Sequence, residues 1–129
     1  FNLLIGNNDA HAKNFSIIHR DQIKFAPFYD LLSTQVYPAL DLKLAMAIGE
    51  TYRPERINEN ALILFSKSLK LRPEKVFKVI DSTIQAVDEN HEALLTAHKK
   101  KYGASPMYSS LRTVIKKNIS QLQRLLDNI

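Results

Sequence analysis

The chain has 129 residues, of which 45% are hydrophobic and 24% charged, with a formal net charge of +5 and no cysteine. One domain is expected at this length, and the lack of cysteine excludes a disulfide framework, a thiolate zinc site and a thiol nucleophile. No apolar run reaches the roughly 18 residues of a membrane helix, and no signal-peptide pattern is present. We therefore expect no membrane association and, since a cysteine-free chain suits a reducing compartment, a cytoplasmic protein.

The first six residues predict the end of a helix. The run from Phe1 to Ile5 is mostly apolar, and Gly6 follows it directly. Glycine just beyond an apolar helical segment is typical of a helix C-terminus. Because the chain starts with Phe1 inside such a segment, we expect it to be cut from a longer protein.

A β-hairpin is predicted between Phe15 and Asp30. Apolar residues alternate with polar or smaller ones on both sides of the turn-forming residues 20–22, which is the period of a strand. Residues 31–38 are typical of a loop. Residues 43–49 fit either a short strand or a turn of helix, and the sequence does not distinguish the two.

Helical spacing replaces this pattern after Pro54. Asn58 predicts the N-cap of a helix that ends near Leu69, and Pro73 suits the first position of the next helix. That helix continues without glycine or proline to Tyr102. Its apolar face is predicted to hold Phe77, Ile80, Ile84, Val87, His91, Leu94, Leu95 and His98.

Ser105 and Pro106 predict the cap and first position of a last helix. Its apolar residues are Met107, Leu111, Val114, Ile115, Ile119, Leu122, Leu125, Leu126 and Ile129. The three helices have enough apolar surface to pack on one another and on the hairpin. The predicted fold class is α+β and predominantly α-helical, with residues 1–53 holding the hairpin and residues 54–129 forming a C-terminal helical bundle.

The last part of the chain is also strongly basic. Between residues 99 and 124 there are seven basic residues and no acidic one. Such a block can attract phosphates or an acidic partner, including nucleic acid. A solvated helix face rich in lysine is the alternative, and the absence of interleaved aromatic residues favours it.

Polar residues that can bind metals or transfer protons concentrate in residues 7–14, directly before the hairpin. Because a hairpin returns the chain to its starting point, Asp9 and Asn14 are predicted to lie close to Asp30 at its far end. The Asp30 carboxylate and Asn14 amide suit Mg²⁺, which is coordinated by one or two protein groups together with substrate phosphates. Asp9 then remains free as a base, a division of roles that phosphoryl transfer uses.

The sequence around these residues resembles a known family. Asp9 and Asn14 have the interval of a protein-kinase catalytic loop, and Asp30 stands where such kinases carry the Asp of Asp-Phe-Gly, although no glycine follows it. The run FNLLIGNNDAHAKNFS at residues 1–16, with PFYDLLST at 27–34, YP at 37–38 and KLAMAIG at 43–49, closely resembles the C-terminal lobe of HipA-type toxin kinases. The resemblance covers about the first 50 residues; beyond Pro54 only the helical character agrees.

The resemblance implies a kinase-like fold and a serine/threonine protein kinase of a bacterial toxin–antitoxin system, with Mg²⁺ and ATP as cofactor and co-substrate. It implies Asp9 as the catalytic base and Asn14 and Asp30 as Mg²⁺ ligands. His11 is implied as a neighbour of the nucleotide phosphates; a histidine that shapes the loop by bonding a backbone carbonyl is the alternative. Lys13 is implied as a residue that can steady the transferred phosphoryl group.

The resemblance also implies partners. Characterised members of the family modify aminoacyl-tRNA synthetases and are held in check by a DNA-binding, HipB-like antitoxin. In this family the nucleotide-covering loop and the ATP-contacting lysine precede the catalytic loop. With glycine only at positions 6, 49 and 103, no glycine-rich phosphate loop can form here. We therefore expect the chain to need a missing N-terminal lobe and to be inactive alone.

Two other functions stay open on the sequence alone. One is a metal-dependent hydrolase in which Asp9, His11 and Asp30 are direct metal ligands. The other is a non-catalytic domain whose basic helices contact an antitoxin or nucleic acid. His91 and His98, seven residues apart, can flank a metal but fit packed residues at the edge of the core better.

Overall fold

Six helices and strands and three short 3₁₀ turns make up the computed structural model, which describes all 129 residues. The helices pack together, and a two-stranded antiparallel sheet lies between the first and second of them in the chain, so the predicted α+β class is confirmed. No helix is both long and apolar enough to cross a bilayer. The elements are α1 (Asn2–Ile5), β1 (Ile17–His19), β2 (Ile23–Phe25), α2 (Glu59–Ser68), α3 (Pro73–Tyr102) and α4 (Pro106–Leu126), with 3₁₀ turns at Ala12–Asn14, Thr34–Val36 and Pro54–Arg56.

The helix boundaries follow the capping signals in the sequence. Gly6 ends α1 in the left-handed conformation with φ of 73°, where a side chain is disfavoured. Asn58 Oδ1 accepts a hydrogen bond from Ala61 N at 2.9 Å, and Ser105 Oγ accepts one from Met107 N at 3.2 Å. Each bond satisfies a backbone N–H that has no partner within its helix. These predicted starts are confirmed.

The hairpin also forms as predicted, with Ile17 opposite Phe25 and His19 opposite Ile23. Its packing differs from the prediction, because Ile17, Ile23 and Phe25 are 55%, 72% and 68% exposed. The apolar faces of the helices pack against one another and against α1 instead. The expectation that the helices cover the hairpin is therefore wrong.

The core consists of two small groups of buried residues that α1 brings together. Leu4 packs with Ile84 of α3 and Leu122 of α4 in the first group. The second group is Leu44, Ile57 and Leu62, and Leu3 and Ile80 contact both groups. Since α1 leads directly into the polar segment at residues 7–14, this packing fixes where that segment begins.

Part of the predicted apolar face of α3 is exposed. His91 is buried, and its Nδ1 lies 3.0 Å from the carbonyl oxygens of Val87 and Asp88. Leu94 is 63% exposed, because it is rotated by about 60° from His91 at 100° per residue. His98 is exposed as well and packs against Tyr102, with the two ring planes at 44°. Leu94 and His98 thus lie at the exposed edge of this face, where they line one cavity with Val87, His91 and Leu95.

Residues 43–49 form neither a continuous strand nor a helix. Their regular pairing is limited to one antiparallel bridge between Ile48 and Thr51. Leu44 N donates to Tyr52 O, and Ala45 N donates to Asn8 O, both at 2.7 Å. The segment is therefore held by contacts to distant backbone.

The basic block is partly neutralised by one acidic residue on α3. Arg112 Nε lies 2.9 Å from both carboxylate oxygens of Glu92, and Lys116 Nζ lies 3.0 Å from one of them. The hydrogen bond from Lys116, followed by that from Arg112 and the charges of both, lowers the pKa of Glu92. Two of the seven basic residues thus join α4 to α3. The five others, Lys99, Lys100, Lys101, Lys117 and Arg124, are exposed.

Candidate active site

The side chains of Asn14 and Asp30 lie in direct contact. Asn14 Nδ2 donates to Asp30 Oδ2 at 2.7 Å. Asn14 ends the 3₁₀ turn before β1, and Asp30 follows β2. The strand pairing closes the 16-residue gap between them, as a hairpin requires.

The backbone of Asp30 is in an uncommon conformation. Its φ is 56°, in the left-handed region that few residues other than glycine adopt. Aspartate tolerates this region better than most residues, and such conformations cluster at functional sites. In this conformation the Asp30 carboxylate contacts Asn14. The residue that follows Asp30 is Leu31 and not glycine.

These two side chains fit the requirements of Mg²⁺. Asp30 Oδ1 accepts no hydrogen bond, while Asn14 Oδ1 accepts one from His11 N at 3.0 Å and keeps a second lone pair. One carboxylate oxygen and one amide oxygen are the hard donors that Mg²⁺ binds together with water and phosphate oxygens. The donor set is therefore chemically suited to the ion.

The side chain of Asn7 hydrogen bonds to the backbone of both Asp9 and Asp30. Asn7 Oδ1 accepts from Asp9 N at 3.2 Å, and Asn7 Nδ2 donates to Asp30 O at 3.3 Å. Because one amide group holds both atoms, Asp9 N and Asp30 O lie within about 9 Å of each other. The exposed Asp9 carboxylate has no hydrogen bond or ion pair. It lines a cavity of about 320 Å³ together with Asn8 and Lys43, whereas Asn14 and Asp30 line a separate, smaller cleft.

The structure gives His11 and Lys13 no bonded side-chain partner. His11 Nδ1 is buried without a hydrogen bond, so the ring does not shape the loop by bonding a carbonyl oxygen. The Lys13 side chain is exposed, while its carbonyl oxygen accepts from the Tyr29 hydroxyl at 2.5 Å. The same hydroxyl lies 3.2 Å from Ser16 Oγ. Tyr29, which sequence reasoning did not select, ties the residue before Asp30 to the loop.

A buried network behind the loop was also missed. Asn8 Nδ2 donates to Leu42 O at 2.8 Å, and Asn8 Oδ1 accepts from Gln35 Nε2 at 3.0 Å. Gln35 Oε1 in turn accepts from Asn118 Nδ2 of α4 at 3.2 Å. The adjacent asparagines at 7 and 8 were the only sequence signal, since Gln35 and Asn118 are far apart in the chain.

No metal centre is built from acidic residues and histidines. The structure holds no group of three or more His, Asp or Glu side chains arranged to bind a metal ion. The hydrolase alternative needs such a set from Asp9, His11 and Asp30, so this arrangement does not form. His91 and His98 are likewise separated, one buried and one exposed.

Comparison with known proteins decides the family. The model of the HipA-like C-terminal domain matches residues 1–91. The chain belongs to this family. The match extends well past Pro54, so the resemblance covers more of the chain than the first 50 residues, and it includes α2 and most of α3.

Similar proteins of this HipA-like family are longer. A Sinorhizobium fredii protein named "Putative kinase Y4mE" is 45% identical over 92 residues, which are 67% of this chain and 22% of that protein. The serine/threonine-protein kinase toxin HipA of Shewanella oneidensis is 40% identical over 72 residues, which are 55% of this chain and 17% of the toxin. The chain therefore spans about a fifth of the length of these curated relatives.

A solved structure confirms the HipA-like architecture. The complex of Shewanella oneidensis HipA, HipB and operator DNA contains a chain that aligns with a TM-score of 0.78 and 25% identity. The alignment covers 98% of this chain and 29% of the other. Because it covers nearly the whole HipA-like chain, it includes α4, which lies beyond the family-model match.

Proposed function

We propose that this HipA-like chain is the catalytic C-terminal part of a serine/threonine protein kinase that transfers phosphate from Mg-ATP to a protein hydroxyl. The observation that carries the proposal is the 2.7 Å contact between Asn14 and Asp30, together with the Asn7 amide that bonds to the backbone of both Asp9 and Asp30. Family membership supports the reaction class.

The proposed roles follow from the chemistry of phosphoryl transfer. Asp9 accepts the proton of the substrate hydroxyl, whose oxygen bonds to the γ-phosphorus as the bond to the ADP leaving oxygen breaks. Asn14 and Asp30 would hold Mg²⁺, which would neutralise charge on the phosphate oxygens. Lys13, with its free ammonium group, steadies the transferred group, and His11 lies near the phosphates.

A nucleotide cradle is not part of these proposed roles. The glycines are at 6, 49 and 103, and the proposed kinase takes its phosphate-covering loop from another part of a longer protein. Asn14 and Asp30 alone bind Mg²⁺ weakly, since this ion sheds water reluctantly. A micromolar dissociation constant corresponds to a binding free energy of about 8 kcal/mol, more than these two ligands supply. We therefore expect calorimetry of the 129-residue chain with Mg-ATP to show no saturable heat at about micromolar concentrations.

The partners belong to the same proposal. A DNA-binding, HipB-like antitoxin is proposed because the matching HipA structure is a complex with HipB and operator DNA. A protein such as an aminoacyl-tRNA synthetase is the proposed substrate. The five exposed basic residues of α3 and α4 favour a second candidate role, contact with an acidic partner or nucleic acid. Binding that weakens with salt and survives Asp9→Ala supports that role.

Asp9→Asn in the full-length protein that carries this chain tests the kinase proposal. The substitution keeps the size of the side chain but removes the base, which costs about 10²–10⁴ in rate. Single-turnover transfer from labelled Mg-ATP to a serine or threonine is measured beside the Mg-ATP dissociation constant, which stays near the wild-type value. Asp21→Asn, in the exposed hairpin turn, is the matched control and retains the rate. A near-wild-type rate for Asp9→Asn contradicts the assignment of the base.

A further inference from the structure

Asn7 is a buried residue whose single amide group contacts both sides of the proposed site. It is 4% exposed. Its Oδ1 accepts from Asp9 N at 3.2 Å, and its Nδ2 donates to Asp30 O at 3.3 Å. Nδ2 also donates to Asn2 Oδ1 in α1 at 3.2 Å. Three chain segments thus meet on one planar group.

Only an amide serves all three contacts at this position. Its oxygen accepts and its nitrogen donates twice, whereas a carboxylate only accepts and a leucine of similar size does neither. The Asp30 carbonyl that receives one of these bonds belongs to the residue with φ of 56°. A strained backbone persists when its surroundings over-determine it, and the bond from Asn7 is one such restraint.

We infer that Asn7 is a positioning residue that sets the separation between the base, Asp9, and the metal-binding carboxylate, Asp30. The inference rests on the proposed function for the roles of those two aspartates. Asn7 acts through backbone atoms on both sides: the N–H of Asp9 and the carbonyl of Asp30. Loss of the first contact leaves the backbone of Asp9 without this restraint, and loss of the second does the same for the backbone of Asp30.

Two substitutions separate these contacts in the full-length protein. Asn7→Leu removes both, and we expect kcat to fall about 10- to 100-fold, the range for residues that orient metal-site ligands. Asn7→Asp keeps an acceptor for Asp9 N but replaces the donor to Asp30 O with a repelling oxygen. Its main effect is a rise in KM for Mg-ATP of about the same factor, with a smaller change in kcat. A purely structural role predicts no such split.

Ile84→Val is the matched control, because it weakens the core of α1, α3 and α4 without contacting the loop. We expect its kcat and KM to stay near the wild-type values. Hydrogen–deuterium exchange of peptides that contain Asp9 gives a second readout. Exchange at Asp9 speeds up in Asn7→Leu and stays protected in Asn7→Asp, because only the former loses the acceptor.

The outcomes distinguish the two proposals. If the wild-type protein transfers no phosphate, the proposed function fails, and the exchange pattern alone decides whether Asn7 holds the two segments. If the wild type is active but both Asn7 variants match Ile84→Val in kcat and KM, the positioning role is refuted. Unchanged exchange at Asp9 in Asn7→Leu overturns the inference in either case.

Discussion

Asn118 of α4 is the residue whose replacement most directly tests the buried network behind the loop. It is 7% exposed, and its Nδ2 donates to Leu3 O at 2.9 Å and to Gln35 Oε1 at 3.2 Å. Asn118→Leu keeps the branched shape of the side chain but removes the donor to Leu3 O, Leu4 O and Gln35 Oε1, and Gln35 Oε1 is then left without a partner. Leu3 O keeps the hydrogen bond from Gly6 N. Because a polar group left unsatisfied costs about 1–3 kcal/mol, we expect the free energy of unfolding to fall by about 1–3 kcal/mol.

Urea denaturation followed by circular dichroism measures this change. The midpoint shifts to lower urea while the slope stays the same, because the surface exposed on unfolding is nearly unchanged. Asn90→Ala is the control, since Asn90 on α3 is exposed and donates only to Ala86 O of its own helix. We expect it to change stability by less than about 0.5 kcal/mol. Equal midpoints for the two variants refute the claim that Asn118 supports the fold through Leu3 and Gln35.

Three further changes test other parts of the chain. In the full-length protein we expect Asp30→Asn to weaken Mg-ATP binding together with turnover, because it removes the charge of the proposed metal ligand; an unchanged dissociation constant in calorimetry contradicts this. Glu92 has a lowered pKa, so its contribution to stability is present above its unfolded pKa and lost as the pH falls through the folded pKa. Glu92→Gln therefore lowers the urea midpoint at pH 7, and this effect shrinks as the pH falls through the folded pKa. Gly49→Ala destabilises strongly, since φ is +62° and the new Cβ would lie 2.5 Å from Ala61 O; a wild-type melting temperature counts against it.

Local signals made much of the fold predictable. The caps at Asn58 and Ser105 act within three residues of themselves, so the sequence around each is sufficient. The hairpin is similar, because its period-two pattern and turn are contiguous. The closeness of Asn14 and Asp30 follows directly from the hairpin between them.

Contacts between distant residues were not predictable in the same way. No spacing rule joins Asn8 to Gln35 and Asn118, since their meeting depends on how α4 packs. The ion pairs of Glu92 with Arg112 and Lys116 also depend on helix packing, so the basic block looked unopposed in the sequence. An apolar pattern in the hairpin, likewise, does not say whether anything covers it.

The bond from Asn118 to Leu3 O joins residues 115 positions apart. A ribosome adding about 5–20 residues per second needs roughly 6–23 s to cover that separation. Until α4 is complete, the end of α1 and the loop that follows it lack this contact. We therefore expect the end of α1 to gain this contact only after α4 has been synthesised, although the Asn14–Asp30 pair needs no residue beyond the hairpin.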